Sequence, residues 1–326
     1  MKRTLAILLA IFLLLGGLGV VATAAPGCPC TWPQHAYNHD AAMFAAQLSY
    51  WAYYSEMIEA ELTERDFFNI EQHNFEEIEE AEEAMHTVAI TLAQREIAVQ
   101  DQDMTLLVLA LRGTVGHMLS GPEWQSNFDV GEEDLHVGFM LATDDVREHL
   151  YAYVLYHELD METTVMLFAG HSRGGAVANI LAAYLNDAQS LVLHENLHVY
   201  TFASPRTTRS PNSAHTNIFN IINVNDRVPR LPRTMGWTNL WGRHGIDLAV
   251  HMTTTTVIGF AVDAMHHHTM ENYLRWMLEH PDLTYDDFHA MTVPITTIFG
   301  TTWPATWYYW LLFWLGFGWI WMYIWV

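Results

Sequence analysis

Residues 170–174 read Gly170-His171-Ser172-Arg173-Gly174, and their flanks constrain this chain more than any other stretch. Thr163 to Ala169 before them is a short apolar, partly β-branched run suited to a buried strand. Gly175 to Leu185 after them is rich in helix formers. Strand, sharp turn and helix is the setting in which Gly-x-Ser-x-Gly forms a nucleophile elbow. The turn places the serine in a strained backbone conformation, and the glycines let strand and helix approach without Cβ clashes. The reading is therefore a candidate nucleophile at Ser172 on an α/β scaffold.

The same alternation extends along the chain. Asp40 to Tyr50 reads as an early helix, and Thr87 to Leu92, Ile97 to Gln100 and Met104 to Leu111 as consecutive strands with polar turns between them. Val146 to Leu155 reads as a helix, and His198 to Phe202 and Ile218 to Asn223 supply further strands. Strands alternating with helices imply an α/β fold whose mostly parallel central sheet has helices on both faces. No internal repeat or long Pro/Ser linker divides residues 31–290, so they read as one domain. With 51% apolar residues in 326, core-forming material is ample and wholesale disorder is excluded.

A serine hydroxyl needs a base, usually a histidine oriented by a carboxylate. In chains of this type the order is Ser, then Asp or Glu, then His. Asp226 closes the strand-like Ile221 to Asn225 and precedes Arg227-Val228-Pro229-Arg230-Leu231-Pro232, a loop stiffened by two prolines. That position suits a group presented beyond the carboxyl end of a parallel strand. Further on, His266-His267-His268 offers three candidate bases. A metal reading of the triplet fails, because adjacent side chains diverge and no His-Glu-x-x-His or clustered-cysteine partner exists. No metal or organic cofactor is expected.

Charge narrows the partners. With 37 acidic residues against 14 basic ones, a net charge of −23 argues against nucleic acid or an anionic membrane surface as an electrostatic partner. Many carboxylates fall in residues 56–83 and read as a solvated helical face. Residues 1–24, with Lys2, Arg3 and an apolar run from Leu5 to Val21, have the parts of a secretory signal or an N-terminal anchor. Cys28 and Cys30, one residue apart, staple nothing large. Residues 303–326 carry no charge and seven tryptophans, which suits a membrane-attached tail, spanning or interfacial, against the alternative of an apolar tail packed on protein. Localisation is read as secreted or extracytoplasmic, with membrane attachment through either end.

Four ordered segments resemble the class 3 (fungal-type) lipase family: Ala110-Leu111-Arg112-Gly113-Thr114, Val137-Gly138-Phe139 after His136, Gly170 to Ala176, and Asn225 to Pro232. Thr201-Phe202-Ala203-Ser204-Pro205-Arg206 is a fifth. The resemblance covers roughly residues 40–280 and implies an α/β-hydrolase fold and a serine hydrolase cleaving carboxylic esters of lipids, as a triacylglycerol lipase does. Phospholipase, monoacylglycerol lipase and short-chain carboxylesterase are the neighbouring alternatives. A non-catalytic membrane-surface binding protein on the same scaffold is the alternative from another class, opposed by the intact Ser, Asp, His order.

The resemblance further implies Ser172, Asp226 and His268 as the catalytic set. His268 is selected because the family's histidine stands five residues before a tyrosine, here Tyr273. It implies an oxyanion hole from the Thr114 N–H and hydroxyl and the Arg173 N–H, and a lid position at residues 115–128. Two departures stand out. Arg173 replaces the commoner Leu, which puts a cation beside the nucleophile where it would bear on substrate preference, and Ala203 replaces a usual Gly.

Overall fold

The computed structural model describes residues 37–76, 85–99, 102–115, 122–188, 191–232, 241–252 and 267–291. Seven strands form one sheet in chain order: β1 (Phe68–His73), β2 (Ile90–Val99), β3 (Gln102–Leu111), β4 (Thr164–His171), β5 (Leu197–Phe202), β6 (Ile218–Asn223) and β7 (Ile246–Val250). β1, β2 and β3 pair antiparallel, and every pairing from β3 to β7 is parallel.

The period-two pattern of the strands explains the layering. On β3, Leu106, Val108 and Ala110 face one side, joined by Val165, Leu167 and Ala169 of β4. Helices α1 (His39–Trp51), α2 (Ser55–Glu64) and α6 (Met270–Glu279) cover that side. The alternate residues Leu107, Leu109 and Leu111, with Met166 and Phe168, face α4 (Val137–Tyr156) and α5 (Arg173–Ala188) on the other. All eight residues of β4 are buried, as a central parallel strand covered on both faces requires. Short helices α3 (Pro122–Phe128) and α7 (Tyr285–Met291) complete the described elements. This is the α/β-hydrolase arrangement expected from the sequence.

Three local expectations need correction. The segments at 87–92 and 97–100 are not two strands. One strand, β2, runs from Ile90 to Val99, with Glu96 turned to solvent and the other polar residues between the two segments held by neighbours. Gln94 is buried and accepts from the Tyr153 hydroxyl (3.4 Å), and the Arg95 guanidinium lies 5.0 Å above the Phe67 ring. Helix α4 begins at Val137 rather than at Val146. The acidic region is only partly helical: α2 takes Glu56 to Glu64, but Glu71 sits in the edge strand β1.

The candidate signal at 1–24, Cys28, Cys30, His266 and the tail at 303–326 lie outside the described residues, as do residues 116–121 of the lid position. Among the described residues no helix is long and apolar enough to cross a membrane.

Candidate active site

β4 delivers its last residue, His171, into the turn, and α5 starts two residues later. Between them Ser172 has φ 55°, a left-handed conformation that costs an ordinary residue about 1–2 kcal/mol. Its neighbours hold it there: the Ser172 N–H donates to the Phe202 carbonyl (2.9 Å), and its own carbonyl accepts from the Ala176 N–H (3.0 Å). A Cβ on Gly170 would lie 2.5 Å from the Gly174 carbonyl oxygen, and one on Gly174 would lie 2.4 Å from that of Leu111. The elbow is closed tightly enough that these two positions exclude any side chain.

Ser172 Oγ lies 2.8 Å from His268 Nε2, and His268 Nδ1 lies 2.8 Å from Asp226 Oδ2. The structure thus brings together the three residues singled out in the sequence, from the turn after β4, the loop after β6 and the segment before α6. Of the other two histidines in the triplet, His267 turns its main-chain carbonyl to Asn223 Nδ2 (3.3 Å), and His266 is not described. Asp226 is fully buried, and its carboxylate accepts from three donors. Oδ1 accepts from the Val228 N–H (3.0 Å), and Oδ2 accepts from the Tyr273 hydroxyl (3.1 Å) as well as from His268. The loop itself is clamped by buried Arg243, which donates to the carbonyls of Pro229 (2.6 Å) and Ser204 (3.0 Å) and forms a two-pronged pair with Asp247.

Two residues that sequence reasoning passed over complete this surround. His171 Nε2 lies 2.7 Å from the His268 carbonyl, and His171 Nδ1 lies 2.6 Å from the Tyr53 hydroxyl. Burial, with the neighbouring His268 adding to it, pushes His171 well below the usual histidine range, so its ring is neutral. A carbonyl only accepts, so Nε2 carries the proton and Nδ1 accepts from Tyr53. The signal was available in the run Tyr50-Trp51-Ala52-Tyr53-Tyr54: Tyr50, Tyr53 and Tyr54, with Trp124, line a cavity of about 310 Å³ that opens onto Ser172 and His268.

Thr114 lines the same cavity, and its hydroxyl oxygen accepts from Asn127 Nδ2 (2.8 Å). The Arg173 N–H opens α5, where main-chain donors have no intrahelical acceptor. The Arg173 side chain corrects the sequence expectation. Its guanidinium is not beside the substrate cavity but fully buried, donating to Ser126 Oγ (2.8 Å), Asn127 Oδ1 (3.1 Å) and the carbonyls of Met85 (2.8 Å) and Thr87 (3.2 Å). Burial lowers its pKa to about 10, so it stays charged at neutral pH. The motif could not reveal this, because the direction of a side chain at the start of a helix depends on tertiary neighbours.

α3, at the lid position, is also held through Glu123, which pairs with Arg112 (3.3 Å) and accepts from the Val115 N–H (2.8 Å). Ala203, where the family has glycine, takes φ 53° and is buried behind the elbow, so the departure is accommodated with strain. Among the described residues, no group of three or more His, Cys, Asp or Glu side chains is placed to hold a metal.

Fold and site together combine a mostly parallel α/β sheet, covered by helices on both faces, with a Ser-His-Asp hydrogen-bonded set. Residues 108–235 match the model of the family described as Lipase (class 3). Curated relatives include a secreted mono- and diacylglycerol lipase of Fusarium solani, 28% identical over 142 residues and covering 39% of each chain. Another, from Malassezia restricta, is 27% identical over 167 residues, covering 48% of this chain and 50% of the relative. The chain thus spans about two fifths to half of the length of the curated relatives it matches. Among solved structures, a triacylglycerol lipase whose catalytic centre is described as a serine protease triad is similar at 17% identity and TM-score 0.45, covering 71% of this chain and 91% of that one. Rhizomucor miehei triacylglyceride lipase is similar at 20% identity and TM-score 0.44, covering 64% and 78%.

Proposed function

We propose that this protein is a serine hydrolase cleaving carboxylic esters of lipids, with acylglycerols as its substrates. The observation that carries the reading is the unbroken line from Ser172 Oγ through the His268 ring to Asp226 Oδ2, with both contacts at 2.8 Å. The aromatic cavity beside Ser172 supports an apolar acyl substrate. The names of the curated relatives support acylglycerols and a secreted location.

In this reading Ser172 Oγ attacks the ester carbonyl carbon while His268 Nε2 takes its proton. The oxyanion is met by the Arg173 N–H and by the N–H and hydroxyl of Thr114; one such donor is worth about 3–4 kcal/mol of barrier. His268 then protonates the leaving alcohol, and an acyl ester remains on Ser172. Water, deprotonated by His268, attacks that ester, releasing the fatty acid and returning the proton to Ser172. Asp226 keeps the Nδ1–H tautomer of His268 and stabilises the imidazolium.

A fluorophosphonate probe tests the class. The expected result is labelling of the wild type and none of Ser172→Ala; equal labelling overturns the reading. A panel of mono-, di- and triacylglycerols, phospholipids and soluble short-chain esters tests the substrate. Hydrolysis confined to phospholipids or to short-chain esters would replace acylglycerols in the assignment.

A further inference from the structure

Burying a guanidinium is costly unless its donors are satisfied. Arg173 is 1% exposed, and its Nη1 and Nη2 donate to four uncharged oxygens, one serine, one asparagine and two carbonyls, while the buried Nε has no partner among the described residues. The asparagine is the informative partner. A guanidinium has donors only, so the atom of Asn127 that faces it is Oδ1, at 3.1 Å. The amide is planar, so Nδ2 is turned the opposite way, and it donates to Thr114 Oγ1 at 2.8 Å. A hydroxyl that accepts from an amide keeps its own proton for another acceptor. Were the amide reversed, Oδ1 would face Thr114 and capture that proton.

From this sequence of contacts we infer that Arg173 is a positioning residue: it fixes the polarity of Asn127 and thereby leaves the Thr114 hydroxyl free to donate into the cavity. The inference rests on the hydrolase reading above, in which Thr114 meets the oxyanion. Arg173 then sets up that hole twice, through its own N–H and, via Asn127, through the hydroxyl of Thr114. The main chain of Asn127 is held as well, because its carbonyl lies 3.2 Å from His136 Nε2. The three members of the relay belong to different elements: Arg173 to the start of α5, Asn127 to α3, and Thr114 to the loop after β3. The side chain that a motif comparison marks as an intruder near the substrate therefore acts from behind the site.

The test is a cycle of kinetics on the full chain with Arg173→Leu, Thr114→Val and the double variant, each checked by thermal melting. Arg173→Leu keeps the main-chain N–H and is expected to lower kcat about tenfold with KM changed less than about twofold. In the Thr114→Val background the same change is expected to cost less than about twofold, because the hydroxyl it serves is gone. Arg173→Lys, also a pure donor, is expected to recover most of kcat. Asn127→Asp provides the variant least prone to fold failure: it keeps the Arg173 contact, presents an acceptor to Thr114, and is expected to match Thr114→Val in kcat. Equal losses from Arg173→Leu in both backgrounds, or an unchanged kcat in Asn127→Asp, overturn the positioning role. An unchanged kcat in Thr114→Val overturns the underlying oxyanion assignment instead.

Discussion

The Tyr273 hydroxyl donates to Asp226 Oδ2 at 3.1 Å, the same oxygen that receives His268 Nδ1 at 2.8 Å. It also accepts from the Asn223 N–H (2.9 Å), so one hydroxyl joins α6 to the end of β6 and to the acid of the site. Burial and the adjacent carboxylate push this phenol well above the usual tyrosine range, so it remains a donor throughout the working pH range. Tyr273→Phe removes the donor and leaves the Asn223 N–H buried without a partner. The expected cost is about 2–3 kcal/mol of stability, read by denaturant unfolding. A kcat about tenfold lower at nearly constant KM is expected alongside it, since one hydrogen bond to the orienting carboxylate is worth roughly that factor. Unchanged unfolding and unchanged kcat would show that the hydroxyl does neither job.

Asp226→Asn tests the acid itself. The amide would retain nearly the same shape, yet its NH₂ would oppose the Nδ1–H of His268 and favour the wrong imidazole tautomer. A loss on the order of 10⁴-fold in kcat is expected, the size this change has in a serine protease triad. Steady-state hydrolysis measures it, and a loss under about tenfold would remove Asp226 from the catalytic set.

Gly174→Ala is expected to destabilise by about 3 kcal/mol or to prevent folding. Its Cβ would lie 2.4 Å from the Leu111 carbonyl oxygen and 2.6 Å from that of Arg112, both rigid backbone. Gly175→Ala meets its nearest atom at 2.9 Å and is expected to lose less. Melting temperatures should therefore rank wild type, Gly175→Ala, Gly174→Ala in falling order; the reverse order for the two variants would contradict the close approach of β3 to the elbow.

Much of this arrangement was readable from the chain because it is local. The elbow is encoded within a dozen residues, and Asp226 announces itself by following a strand and preceding two prolines. His268 was separable from His266 and His267 only through its spacing to Tyr273, a family regularity whose physical basis is now visible in the Tyr273–Asp226 bond. Strand β1 escaped notice because Phe68-Asn69-Ile70-Glu71-Gln72-His73 is a polar edge with no alternation to detect. Its register is set by contacts distant in sequence, such as the Tyr153 hydroxyl donating to the Asn69 carbonyl (2.8 Å). Arg173 was misread for a related reason: residue type reveals a charge, whereas its partners Ser126, Asn127 and Thr87 come from elements brought together only by folding.

The buried histidines make stability depend on pH in a defined direction. Burial, reinforced by the nearby Arg173 charge, lowers His136 to about 4, and burial with the His215 charge lowers His244 to about 4. His171, His73 and His215 are lowered as well, each chiefly by burial. Unfolding returns these rings to a pKa of about 6.5, so between about pH 6.5 and 4 the unfolded chain binds more protons than the folded one. Stability is therefore fully present above pH 6.5 and is lost as pH falls toward 4. His136, 1% exposed, would alone contribute about 3 kcal/mol of that loss. Asp145 opposes the trend, since burial raises its carboxyl and favours the protonated form, but one carboxyl faces several histidines. Thermal melts at fixed ionic strength from pH 7.5 to 4.5 are expected to show a falling midpoint, steepest below pH 6.5. A midpoint that stays level or rises over that range would mean that these rings accept protons without unfolding the sites that bury them.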